Sequence, residues 1–186
     1  MIGQLGNRRS ENRLPNCPIT QLPNYSIQVI DYSAMVDVGT RLSTVGVFQD
    51  VAWAEKGLAA LKQIGLAPES LTILAKDNAD VSGLMARTLG TEGTRLDLPV
   101  LGAALTCGSL VDALQGEARD LGKLGLAGTM RRVGFQAHDS RIFEALVARG
   151  GVLVAIRSEP RAADALAVLH SYGGGNAAIG AWTGRL

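Results

Sequence analysis

Aromatic side chains make up only 4% of this 186-residue chain, and cysteine occurs just twice. So few aromatics argue against large aromatic pockets. The 23 glycines instead point to close packing of backbone on backbone. Cys17 and Cys107 lie far apart, with no CxxC pair and no Cys/His cluster at metal-ligand spacing. A disulfide framework and a structural zinc site are thereby excluded, and a reducing compartment, the cytoplasm, is expected. No sign of charge dominates. With a formal net charge of +1, no global field draws nucleic acid or anionic lipid, and neither is expected as a partner. Long apolar runs are also missing. The best candidate, from Leu98 to Val111, meets Asp112 well short of the ~20 residues a membrane span needs. Arg8 and Arg9 have no apolar segment behind them, so no secretory signal is read there.

What is present is the composition of a globular chain, 47% hydrophobic and 19% charged. The length suits one domain and a tail, and a chain of this size buries roughly two-thirds of its unfolded surface without covalent staples. Residues 1–40 read as the tail. Leu14-Pro15-Asn16-Cys17-Pro18-Ile19 recurs as Leu22-Pro23-Asn24-Tyr25-Ser26-Ile27, and proline at matching places predicts an extended or disordered arm. The stretch reads as translated upstream sequence with Met35 as the start; a recognition arm is the other reading.

Residues 41–186 carry one strand–helix–strand plan twice. Thr44-Val45-Gly46-Val47-Phe48 is a β-type run, and Asp50 is placed to cap a helix. Val51, Ala54, Leu58, Leu61 and Ile64 follow at helical spacing, Gly65 supplies the stop, and Leu71 to Ala75 is the next strand. Val152 to Ile156, a helix capped by Ser158 with Pro160 inside it, and Ala177 to Trp182 repeat the order. A constant offset of 108 residues carries Asp50 onto Ser158, Ala54 onto Ala162, Leu58 onto Leu166, Leu61 onto Leu169 and Gly65 onto Gly173. Two such units in series predict an α+β fold, a ferredoxin-like βαβ–βαβ antiparallel sheet with two helices on one face. Between them, residues 81–149 form a Gly/Ala-rich insert. It is expected to be helical, with Leu98 to Val111 in a soluble helical hairpin and a last helix capped by Asp139 or Ser140.

Few residues offer chemistry. His138-Asp139-Ser140 are adjacent, whereas catalytic triads are assembled from separate segments, so a helix start is the better reading. Asp77, Asp80, Glu92 and Asp97 lack the spacing and turn glycine of a calcium loop. The glycines at 122–128 and 173–175 do not follow a strand and open a helix as a dinucleotide fingerprint must. Cys107 is expected in the core, and His170 and Tyr172 end a helix. No catalytic, cofactor or metal site is expected, and the chain leans away from being an enzyme. Trp53 falls off the apolar stripe of the first helix, an interface signal. Val152, Val154 and Ile156 face one way and Leu153 and Ala155 the other, so both sheet faces are apolar. The face that the two helices leave open needs a cover: the insert, another subunit or a ligand. Trp53, Phe48, Leu153 and Ala155 are therefore the candidate interface residues.

The segments GVFQDVAWAEKGLAALKQIGLAPESLTILAKD and FEALVARGGVLVAIRSEPRAADALAVLHSYGG, with a Gly/Ala-rich middle, resemble the bacterial heat-induced or general stress proteins (YflT-like domain). The resemblance spans about Thr44 to Gly174 and implies a stress-response role without catalytic residues to carry over. The expected function is non-enzymatic, by self-association or protein binding. The alternative is a small-molecule module with its ligand between sheet and insert.

Overall fold

A computed structural model describes residues 42–116, 120–157, 161–175 and 182–185. The N-terminal repeat, the Ser158 cap with Pro160, and residues 177–181 of the last expected strand lie outside the described residues. Strand β1 (Leu42–Phe48) leads into helix α1 (Val51–Gln63). Asp50 Oδ1 accepts from the Trp53 amide at 2.9 Å, the expected cap, which contributes about 1 kcal/mol. Gly65, at φ 85°, ends the helix: its amide donates to Lys62 and that of Leu66 to Leu61. A 3₁₀ turn (Pro68–Ser70) precedes β2 (Leu71–Lys76), and α2 (Ala79–Leu89) is capped by Asn78, which accepts from Val81 at 2.8 Å. Then come β3 (Thr94–Leu98), β4 (Gly102–Cys107), α3 (Ser109–Gln115), α4 (Asp120–Arg132) and α5 (Ala137–Ala148). The chain closes with β5 (Val152–Arg157), α6 (Ala162–Ser171) and β6 (Trp182–Arg185).

The six strands form one antiparallel sheet in the order β3-β4-β2-β5-β1-β6. Its register preserves the offset seen in the sequence. Gly46 faces Val154, the residue onto which 108 positions carry it, so a pseudo-two-fold axis passes between them. Val45 faces Trp182 in the β1–β6 ladder, and their equivalents, Leu153 and Leu74, face each other in the β5–β2 ladder. The C-terminal turn of α6 also repeats that of α1. Gly173, at φ 74°, donates to His170, and Gly174 donates to Leu169. Arg161, before α6, reaches across to donate to the Ile64 carbonyl at the end of α1.

Two apolar cores flank the sheet. Phe48, Leu71, Ile73, Val152, Val154 and Ile156 pack against Leu58 and Leu61 of α1, Leu84 and Met85 of α2, and Leu169 of α6. The opposite face presents Val45, Val47, Leu74, Leu153 and Ala155. It is covered by Leu110 and Leu114 of α3, Leu121, Leu126 and Met130 of α4, and Phe143 and Val147 of α5. The insert is thus the cover that the second sheet face requires. Leu153 and Ala155, candidate interface positions in the sequence, are core within the chain at 0% and 2% exposure. Phe48 is core as well: its ring lies where Gly57 and Gly174 leave room, within 2.4 Å and 3.0 Å of the Cβ that each lacks.

The insert differs from the expected helical hairpin. Residues 94–98 and 102–107 are paired strands, closed by a tight turn in which Leu101 donates to the Pro99 carbonyl across Val100, at φ 71°. The run shows no strand alternation because β4 is buried from both sides, with Ala104 in one core and Leu105 in the other. The α5 start also differs. Ala137 opens the helix, and the Ser140 hydroxyl donates back to the Gln136 carbonyl at 2.8 Å instead of capping. Gly125 breaks α4 at φ 72°, ψ 179°, and Glu144 of α5 accepts from the Ala127 amide just beyond the break.

Candidate functional site

The Asp50 cap fixes the first turn of α1 and with it the outward course of Trp53, which is 40% exposed. The ammonium of Lys56, one turn along, lies 4.9 Å from the centre of the indole and holds one of its faces. Beside Trp53, where β1 gives way to α1, is a cavity of about 550 Å³. Val47 and Gln49 line it from the end of β1, Leu146 from α5, His170 and Ser171 from the last turn of α6, with Gly173 and Gly175 beyond. The glycine-rich exit of α6 is what brings this wall close. The Gly174 carbonyl lies 2.1 Å from where a Cβ at Gly46 would stand, so the approach depends on Gly46 having none.

The lining combines Trp53, Val47 and Leu146 with three hydrogen-bonding side chains, Gln49, His170 and Ser171. Ser171 already donates to the Ala167 carbonyl at 2.9 Å, which leaves its oxygen as an acceptor. An apolar cleft of this size with a few polar groups matches the usual form of a small-molecule site. Of the four interface candidates, only Trp53 belongs to it. His170, read as a helix end, lines it too. Val47, Gln49, Leu146 and Ser171 carry no signal in the sequence, because they come from three separate segments and none is unusual in its own.

The remaining reactive side chains lie elsewhere. His138 and Asp139 meet each other at 3.2 Å on the exposed start of α5. Asp77 pairs with Arg95 at 2.9 Å. Among the described residues, no three His, Cys, Asp or Glu side chains gather as a metal-binding set. Cys107, at the end of β4, lines a cavity of about 260 Å³ with Thr94, Thr106 and Asp112. Burial raises its thiol pKa above the ordinary 9.0, and the Asp112 carboxylate adds to the rise, because both disfavour the thiolate. Iodoacetamide is therefore expected to label Cys107 more slowly than a free thiol near neutral pH. The rate should climb only above the usual thiol range; a plateau already reached at pH 8 would contradict this environment.

No helix among the described residues is long and apolar enough to cross a membrane. Comparison with protein-family models, curated proteins and solved structures gives no match.

Proposed function

We propose that this chain is a non-enzymatic binding module that holds a small, mostly apolar molecule in the Trp53 cavity. The observation that carries the reading is the cavity itself, lined by an exposed indole, by Leu146 and Val47, and by Gln49, His170 and Ser171. Leu146 comes from the insert and Val47 from the sheet, so the ligand would sit between those two parts, beside the ends of α1 and α6. Self-association through the second sheet face loses its basis, since α3, α4 and α5 fill that face. The fold reading that goes with this proposal is a ferredoxin-like kernel of β1-α1-β2 and β5-α6-β6. The central strand order β2-β5-β1-β6 supports it, as does the pairing of Gly46 with Val154. The resemblance to general stress proteins suggests a stress-response setting for the module.

Anilinonaphthalene sulfonate, a flat aromatic dye with one polar group, is a suitable probe. It should bind with saturable enhancement of its fluorescence. Trp53→Ala is expected to weaken that binding about tenfold, through loss of the indole face. The unfolding midpoint should barely move, because Trp53 is a partly exposed position. Equal dye affinity in wild type and Trp53→Ala would remove the cavity from consideration.

A further inference from the structure

We propose that β3 is a self-pairing edge, to which a second copy of this chain adds antiparallel about a two-fold axis at Leu96. Among the described residues, β3 is an outer strand of the sheet. The Ala103 carbonyl accepts from the Asp77 amide at 3.0 Å, so Ala103 turns its backbone groups away from β3, toward β2. By alternation Ala104 and Thr106 turn theirs toward β3, where they face Leu96 and Thr94. The Thr106 hydroxyl donates to the Thr94 carbonyl at 3.1 Å, in agreement. The N–H and C=O groups of Arg95 and Asp97 therefore point to the open edge, a template for another strand. Gly122 of α4 stands beside the Asp97 carbonyl, which lies 4.0 Å from where its Cβ would be, and Asp97 itself is exposed.

Charge decides what that strand is. Antiparallel pairing about Leu96 sets Arg95 opposite the partner's Asp97, and Asp97 opposite the partner's Arg95. These are the positions with outward backbone groups, so both become hydrogen-bonded pairs, and opposite charges meet twice on one face. A shift of two residues either way sets Asp97 against the partner's Asp97, or Arg95 against the partner's Arg95; a parallel, in-register pairing does both. Like charges directly opposite are destabilising, so the strand selects one register on itself. The Arg95 side chain is 78% exposed and already pairs with Asp77, and its planar fork has donors enough for a second carboxylate. On the other face Leu96 meets the partner's Leu96. Val100 and Leu124, both exposed, add apolar surface on the flanking turn and helix. This edge lies across the sheet from β1, so the proposal does not depend on the Trp53 cavity.

Sedimentation velocity of the full chain tests it, with Arg95→Asp, Asp97→Arg and the double exchange. The wild type is expected to dimerise. Each single variant should weaken the dimer on the order of tenfold or more, and the double exchange should restore it, because the opposed pairs are again of opposite sign. A monomeric wild type overturns the proposal. So do single variants that dimerise as well as the wild type, or a double exchange that stays monomeric. Hydrogen exchange on the wild type supplies an independent readout should a variant fail to fold. The Arg95 and Asp97 amides should gain protection as concentration rises, and amides that exchange at the same rate at every concentration overturn the proposal as well.

Discussion

Gly46→Ala is expected to lower the stability of the chain by about 3 kcal/mol or more, and Gly46→Val to prevent stable folding. The new Cβ would stand 2.1 Å from the Gly174 carbonyl oxygen, 3.0 Å from its carbon and 3.2 Å from Leu169 Cδ1. None of the three can yield easily. Gly174 is held by its bond to the Leu169 carbonyl, and a Cβ at Gly174 would itself be 3.0 Å from the buried ring of Phe48. Gly46 is paired with Val154 of β5, and the β6 ladder holds β1 up to the neighbouring Val45, so the strand has little room to retreat. A typical domain is stable by only ~5–15 kcal/mol, so such a loss is a large fraction of the total. Urea unfolding of Gly46→Ala checks it against Gly122→Ala, where a Cβ would meet only the Asp97 carbonyl oxygen at an ordinary contact of 4.0 Å and the change should be neutral or mildly stabilising. Midpoints for the two variants that agree with each other would refute the close-packing account.

Phe143→Ala is expected to cost about 3–5 kcal/mol, because it empties the centre of the core that covers the second sheet face. Phe143 is 1% exposed and meets Phe135 edge to face, with ring centres 6.1 Å apart and planes at 86°. Leu153 and Ala155 belong to the same core, so the cavity would open in the layer between α5 and the sheet. Phe143→Leu keeps most of the volume and should recover more than half of the loss. Chemical denaturation of both variants measures the difference. Accelerated amide exchange in β1 and β5 of Phe143→Ala would show that the covering layer had loosened. A loss below 1 kcal/mol would mean that α5 is not what seals this face.

Much of the kernel was legible from local chemistry. Asp50 as a cap, Gly65 and Gly173 as stops and the leucines of α1 announce themselves through spacing, and the offset of 108 tied one half to the other. The insert was less legible because its signals are ambiguous at short range. Leu98 to Val111 contains a turn, a strand buried on both sides and a helix start, yet as composition it is a single apolar stretch. Ser140 has the chemistry of a cap but bonds within its own helix. At the candidate site, Trp53 stood out because a helix periodicity marks what falls off its stripe. Val47 and Leu146 carried no such mark, since each also packs with the covering core.

Arg161 and the Ile64 carbonyl take on another meaning beside Trp53. The offset that carries Gly46 onto Val154 also carries position 53 onto position 161, and Ile64 onto Tyr172. The chain thus has two corresponding joints, each between the start of one helix and the end of the other. At one, the guanidinium of Arg161 latches the end of α1. At the other, an indole stands beside the end of α6 and the joint remains a chamber. A repeated plan has thus left the protein with one joint fastened by a guanidinium and its counterpart open beside an indole, which is where the proposed ligand would sit.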